Sequence, residues 1–89
     1  MNNYLVETLD THGGIQKIYK FENGYGASVI KGKYTYGGDK GLWELAPWTN
    51  DTNEFIGMSM LNWGDDVIGN LHDPDVHAIL GTISRLPSA

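Results

Sequence analysis

The feature that most constrains the fold of this chain is the stretch 17–48, where strand-forming residues and glycines are concentrated. It holds two of the three tryptophans, four of the five tyrosines and half of the glycines. Aromatic and β-branched residues favour strands, whereas clustered glycines favour turns. With 89 residues and no cysteine, the chain has to bury these side chains in one small core without disulfides. We therefore predict a single domain over residues 1–89, built around a β-sheet.

The centre of that sheet is predicted to be a hairpin of residues 15–21 and 25–31. The dipeptide Asn23-Gly24 between them favours a two-residue type I′ turn, because both turn positions need a positive φ. Such a turn places Phe21 opposite Gly26. It also places Tyr19 and Ile30 on one face of the hairpin, away from Val29. Both faces are partly apolar, so we expect both to be covered. A helix would cover one face, and a second subunit is one candidate for the other.

The remaining elements are predicted from the pattern of apolar residues. Short strands are expected at 4–9, 42–46, 55–60 and 67–71, with Pro47 ending the strand 42–46 or marking it as an edge. An apolar stripe at helical spacing predicts a helix from about 74 to 85, with Gly81 inside it allowing the sheet to approach closely. The stripe comprises Val76, Ile79, Leu80, Ile83 and Leu86. The predicted fold is α+β: an antiparallel sheet of five to six strands with this C-terminal helix packed on one face.

Charge is distributed unevenly along the chain. The formal net charge is −5, which argues against direct binding of nucleic acid. Residues 17–40 nevertheless carry +3, from five lysines against Glu22 and Asp39, and the rest carries −8, from nine acids against Arg85. This asymmetry is compatible with one anion-binding face on an acidic body, or with lysines that only solvate exposed strands. No run of residues is long and apolar enough to suggest a signal peptide or a membrane span.

The Gly/Lys/Tyr loop, residues 31–41, is the predicted ligand site. Its glycines leave backbone N–H groups free to face an anion, its lysines add positive charge, and its tyrosines could stack on a base. The candidate ligand-binding residues are Lys31, Lys33, Tyr34, Thr35, Tyr36 and Lys40. The loop matches neither a phosphate-binding nor a dinucleotide-binding motif. A Gly-rich turn whose tyrosines pack on the domain is the alternative.

No catalytic or metal-binding pattern is recognised. His72 and His77 are five residues apart, a spacing that does not place both on one helical face, so a metal site is not predicted. The carboxylates of Asp65 and Asp66 lack the alternating oxygens of a calcium loop. His12 could serve as a general base, but no nucleophile motif accompanies it. We therefore predict neither an enzyme nor a bound metal or cofactor.

Four sequence segments resemble a group of small uncharacterised proteins encoded by bacteriophages. They are GYGASV at 24–29, YGG at 36–38, GLWELA at 41–46 and DVIG at 66–69. The similarity covers roughly residues 15–80. It implies a viral accessory protein in the cytoplasm of an infected bacterium. Small phage proteins of this kind often counter host defence, by blocking a defence protein or by sequestering a signalling nucleotide.

Three functional hypotheses follow. The first is a non-enzymatic homo-oligomer that sequesters a small anionic, nucleotide-type signal through the Gly/Lys/Tyr loop. The second is an acidic protein–protein inhibitor that blocks a host defence or nucleic-acid-binding protein. The third is a small hydrolase of a nucleotide signal that uses His12 or His72 with a carboxylate. The local positive charge and the two apolar sheet faces favour the first, and the acidic remainder of the chain favours the second.

Overall fold

The predicted α+β fold is confirmed. The computed structural model describes residues 5–11, 13–32, 38–49, 54–57, 61 and 64–87. Within these residues, five strands form one antiparallel sheet, and one α-helix follows them. These elements are β1 (Leu5–Thr11), β2 (Gly14–Lys20), β3 (Tyr25–Gly32), β4 (Trp43–Thr49), β5 (Ile68–Leu71) and α1 (Asp73–Ser84).

Each strand pairs with the next one along the chain, in the order β1-β2-β3-β4-β5. The helix packs against β3 and β4, on the side we call the inner face. Residues of this face include Tyr19, Ala27, Val29 and Leu45, which are buried together with the helix residues Val76, Leu80 and Ile83. The opposite side, the outer face, carries the alternate residues of the same strands.

The central hairpin forms, but its predicted register is wrong by one residue. Lys20, not Phe21, lies opposite Gly26. The Phe21 N–H donates to the Tyr25 carbonyl over 2.7 Å, which closes a three-residue loop in which Gly24 has a φ of 90°. Three-residue loops with a left-handed glycine at the last position are a common alternative to the type I′ turn.

The corrected register changes which residues share a face. Tyr19 lies opposite Ala27, so it is on the inner face with Val29, whereas Ile30 is on the outer face. The predicted grouping of Tyr19 with Ile30 was therefore wrong. Because side chains alternate along a strand, a slip of one residue moves every partner to the other face.

The helix matches its prediction closely. It begins one residue earlier than expected, after His72, whose N–H donates to the Asp75 carboxylate over 3.0 Å. The predicted apolar stripe faces the sheet, with Ile79 and Leu86 packed at the margin of the core. At the other end, the Asn23 amide donates to the carbonyls of Ile83 and Leu86, so the hairpin loop is bonded to the last turn of the helix and to the residues that follow it.

Three other expectations need correction. The strand β4 runs through Pro47, whose carbonyl accepts from the Ile56 N–H at 3.0 Å. Phe55 forms only an isolated bridge to Trp48, and Gly57 lies in a turn, so the described part of the predicted strand 55–60 is not a strand. A Cβ added at Gly81 would meet the Arg85 guanidinium, which gives no support to a close approach of the sheet there.

Candidate binding cleft

A cleft of about 200 Å³ opens where the start of α1 meets the inner face of the sheet. Six polar or aromatic side chains line it: Lys17, Tyr19, Lys31, Trp43, Asp73 and His77. Val29 and Val76 complete its walls. We call this feature the lysine cleft, because its two ammonium groups are its most unusual part.

The strand register brings the two lysines together. Lys17 lies opposite Val29 and is therefore on the inner face of β2. Lys31 is two residues beyond Val29 on β3, so it projects from the same face. Two adjacent strands thus place two ammonium groups beside the buried core rather than on the outer face.

Both ammonium groups lie over one indole ring. The Lys31 Nζ is 4.4 Å from the centroid of the Trp43 ring, and the Lys17 Nζ is 5.1 Å from it. Cations within about 6 Å of an indole are attracted by the negative charge density of its face. This attraction offsets part of the repulsion between the two positive charges. Trp43 is only 7% exposed, so the lysines and the core cover nearly all of it.

The first residue of α1 holds the Trp43 indole in place by a hydrogen bond at the edge of the ring. The Trp43 Nε1–H donates to Asp73 Oδ1 over 2.7 Å, a short bond to a carboxylate. Asp73 is the first helical residue, and His77 follows it by about one turn on the exposed side of α1. The cleft is therefore bounded by two lysines on the sheet side and by one carboxylate and one imidazole on the helix side.

Tyr19 contributes a neutral wall. The ring is buried at 6% exposure, and this burial raises the pKa of the phenol above its ordinary value of 10.0. The cause is desolvation, which disfavours the phenolate. Tyr19 therefore carries no charge near neutral pH, and the charges of the cleft are those of Lys17, Lys31, Asp73 and any proton on His77.

The balance of these charges favours an anion. Two ammonium groups oppose one carboxylate, and one oxygen of that carboxylate is engaged by the indole. Among the described residues, neither lysine forms an ion pair. The ammonium group of each lies over the Trp43 ring. An incoming anion could therefore bind both ammonium groups without displacing a protein carboxylate from them.

The predicted ligand residues are only partly placed. Lys31 lines the lysine cleft, whereas Lys40 is exposed in a short 3₁₀ turn, Gly38–Lys40, outside the cleft lining. Lys33, Tyr34, Thr35 and Tyr36 lie outside the described residues, so their role stays a prediction. Sequence reasoning missed Lys17, Tyr19, Trp43, Asp73 and His77 as cleft residues. Strand alternation in the correct register would have joined Lys17 to Lys31.

The two described histidines that were considered as possible metal ligands or bases do not form part of a metal-binding cluster. His72 and His77 are both exposed, and His12 lies outside the described residues. No group of three or more histidine, aspartate or glutamate residues is close enough to hold a metal ion in the part of the chain described. The described helix is also too short and too polar to cross a membrane.

Comparisons with protein-family models, with curated proteins and with solved structures gave no match to this chain. The functional argument therefore depends on the geometry of the lysine cleft and on the sequence features described above.

Proposed function

We propose that this chain is a non-enzymatic binding protein that sequesters a small anionic, nucleotide-type signalling molecule. The main support is the pair of ammonium groups of Lys17 and Lys31, held over Trp43 in a cleft of an otherwise acidic chain. The resemblance to small phage proteins supplies the biological setting: a viral factor that counters host defence in the cytoplasm of an infected bacterium.

Lys31 connects the lysine cleft with the Gly/Lys/Tyr loop. Its ammonium group lies in the cleft, and it is the second-last residue of β3, so Lys33 follows only two residues later. A ligand with an anionic group and a base could use both regions, since the cleft offers charge and the loop offers Tyr34 and Tyr36 for stacking. We therefore propose one site that extends from the cleft into the loop.

The proposal assigns binding rather than turnover. Lysine ammonium groups attract and hold phosphates, and hydrolysis would need a general base beside an activated water or nucleophile. His77 is the only imidazole among the described cleft residues, and it is exposed on the helix. We expect the amount of any bound ligand to be limited by the amount of protein, with no product accumulating over time.

Native mass spectrometry of the protein purified from a bacterial lysate is the direct test. We expect an oligomer that carries a nucleotide-sized adduct, or that gains one when a panel of nucleotides is added. A bare monomer that ignores the whole panel would contradict the proposal. In that case the second candidate function below becomes the better one.

Substitutions separate the cleft from the loop as the origin of binding. Lys17→Met with Lys31→Met removes the two cleft charges but keeps their aliphatic stems over Trp43. Lys33→Glu with Lys40→Glu reverses the loop charges. Lys20→Met is the matched control, because Lys20 is an exposed lysine on the outer face of the same strand as Lys17.

If the site extends over both regions, each double variant should weaken nucleotide binding by about tenfold or more, since a hydrogen bond to a charged group is worth roughly 1.5–3 kcal/mol. The Lys20→Met control should bind like the wild type. Loss of binding in the cleft variant alone would remove the loop from the site. Full binding by the cleft variant would exclude Lys17 and Lys31 as ligand contacts.

A second candidate function is supported by the edge strand β1. Its side chains are exposed over residues 5–10, including Leu5 at 37%, Val6 at 58% and Leu9 at 38%. The same strand carries the acidic residues Glu7 and Asp10. An exposed apolar edge strand is a template for pairing with another chain. We therefore propose, as the alternative, an acidic inhibitor that pairs with a host defence or nucleic-acid-binding protein through β1.

The two candidates respond differently to a charge placed on β1. Val6→Lys should block strand pairing, because a lysine on an edge strand opposes edge-to-edge association. In the sequestration hypothesis, this variant keeps its nucleotide adduct even if its subunit number falls. In the inhibitor hypothesis, it loses the host protein that the wild type retains in a pull-down.

A further inference from the structure

The lysine cleft restricts which part of a nucleotide can enter it. Its volume is about 200 Å³, smaller than the roughly 300–1,000 Å³ of sites that enclose a drug-sized ligand. Its two aromatic rings do not offer open faces, since Trp43 is 7% exposed and Tyr19 is 6% exposed. A base therefore has no free aromatic surface on which to stack inside the cleft.

The same cleft is well suited to a compact anion. The ammonium groups of Lys17 and Lys31 share one ring, so they are separated by no more than the sum of their distances from its centroid. Two like charges over one ring repel each other, and the low dielectric of the adjoining core strengthens that repulsion. An anion bound between them is attracted by both ammonium groups, and these attractions offset the repulsion.

The Asp73 carboxylate is the one feature of the described cleft that opposes an anion. One of its oxygens accepts the Trp43 Nε1–H at 2.7 Å, which withdraws part of its charge from the cleft. His77, about one turn later on α1, can donate an N–H from the same side of the cleft. The arrangement is thus two ammonium donors and one imidazole donor against one partly engaged carboxylate.

We infer that the lysine cleft is a phosphate subsite, in which one phosphoryl group bridges Lys17 and Lys31 and accepts from His77 while the rest of the ligand stays outside. This inference rests on the proposed function and names the part of the ligand that the cleft recognises. A terminal phosphoryl group presents three oxygens and nearly two negative charges at pH 7. It can therefore satisfy three donors at once, which the two oxygens of a carboxylate cannot do as well.

The subsite predicts that affinity follows the phosphoryl group and not the base. Inorganic phosphate should bind with a Kd on the order of 1 mM, as expected for a few charge-assisted hydrogen bonds in an open site. Adenosine monophosphate should bind at least as tightly as phosphate. Adenosine, and potassium chloride at matched ionic strength, should leave the cleft unchanged.

The test uses the indole N–H resonance of Trp43 in the full-length protein, assigned by its loss in Trp43→Phe. This proton lies at the wall of the cleft in its bond to Asp73, so it reports on anions that bind there. The protein is titrated with inorganic phosphate, adenosine monophosphate, adenosine and potassium chloride. The variants are Lys17→Met, Lys31→Met and Asp73→Asn, with Lys20→Met as the matched control.

We expect each cleft lysine variant to weaken phosphate binding by about tenfold, and Lys20→Met to have no effect. Asp73→Asn should bind phosphate several-fold more tightly, because the amide oxygen still accepts from the indole but its negative charge is gone. Circular dichroism of each variant shows whether it is folded. If a lysine variant is unfolded, the gain of affinity in Asp73→Asn and the adenosine comparison still decide the question.

Failure of the subsite and failure of the proposed function give different results. The subsite is refuted, while nucleotide binding stands, if adenosine binds as tightly as its monophosphate. The same conclusion follows if nucleotides bind to both lysine variants as tightly as to the wild type. If inorganic phosphate binds through the two lysines but no nucleotide of the panel binds, the subsite stands and the nucleotide ligand is refuted. If neither phosphate nor any nucleotide shifts the resonance, both are refuted.

Discussion

The two faces of the sheet are formed by the same strands but differ in the burial and the partners of their polar side chains. On the inner face, Lys17 and Lys31 extend along a buried core and place their charges over Trp43. On the outer face, Gln16 donates to Ser28 Oγ over 2.7 Å among half-buried apolar side chains, and Lys20 is exposed. Glu44 is half-buried on the outer face, where it is a single charge. The inner face instead holds two like charges over one ring at the margin of a core.

This difference indicates that the inner charges are not explained by the need for solubility alone. Lysines that only keep a strand hydrated lie on exposed positions, as Lys20 does. Lys17 and Lys31 instead converge on one ring, where each loses side-chain freedom and faces a like charge. This convergence of two ammonium groups is the geometric support for the proposed anion site.

The comparison is tested most strongly by removing one apolar side chain from each face. Leu45 is fully buried on the inner face, so Leu45→Ala should lower the free energy of unfolding by about 3 kcal/mol. Ile30 is half-buried on the outer face, and Ile30→Ala should lower it by about 1 kcal/mol. Urea denaturation of both variants measures the two losses. Equal losses would mean that the outer face is covered as fully as the inner one.

A smaller effect is expected from the two tryptophans of β4. Trp43→Phe removes the N–H bonded to Asp73 and weakens the ring on which the lysines lie, so we expect a loss of about 1.5 kcal/mol in the free energy of unfolding. Trp48, on the outer face, is half-buried, and Trp48→Phe should cost about 0.5 kcal/mol. Thermal unfolding of the two variants gives the comparison. A greater loss from Trp48→Phe would mean that the tryptophan of the outer face contributes more to stability than that of the inner face.

The smallest expected effect is a dependence of stability on alkaline pH that comes from Tyr19. Burial raises its pKa in the folded state, so the folded protein holds this proton more tightly than the unfolded chain. The resulting stability is complete below the unfolded pKa of about 10 and is lost as pH rises through the folded pKa. One proton changes the free energy of unfolding by at most about 1.4 kcal/mol per pH unit.

Urea denaturation of the wild type and of Tyr19→Phe between about pH 9 and pH 10.5 isolates this contribution. We expect the wild type to lose up to about 1 kcal/mol more than the variant over this range, because phenylalanine has no proton to release. If the free energies of unfolding of the two proteins change equally with pH, the phenol of Tyr19 is as accessible to water in the folded protein as in the unfolded chain.

The helix and the strand positions were largely predictable because they depend on local pattern. The apolar stripe of 76–86 and the acidic residues before it specify α1 wherever it packs. The predictions for 55–60 and for Pro47 failed because pairing depends on neighbouring segments. Phe55 finds only one bridge partner, and Pro47 is accommodated because its carbonyl, and hence its nitrogen, points toward Ile56 rather than toward β3.

The candidate site was less predictable than the fold. The concentration of lysines in 17–40 includes both lysines of the cleft, and Lys31 was among the predicted ligand residues, but Asp73 and His77 come from a helix more than 30 residues away in sequence. No local pattern relates these two residues to Trp43. Their proximity follows from the packing of α1 on β3 and β4.

The antiparallel sheet with a C-terminal helix follows from the sequence alone, since alternation, turn residues and the helical stripe are local properties. The register of the central hairpin instead depends on tertiary packing, because Asn23-Gly24 fits both a two-residue and a three-residue loop. That choice of one residue placed Lys17 on the same inner face as Lys31, since side chains alternate between the faces of a strand. The docking of α1 then closed the cleft over both lysines.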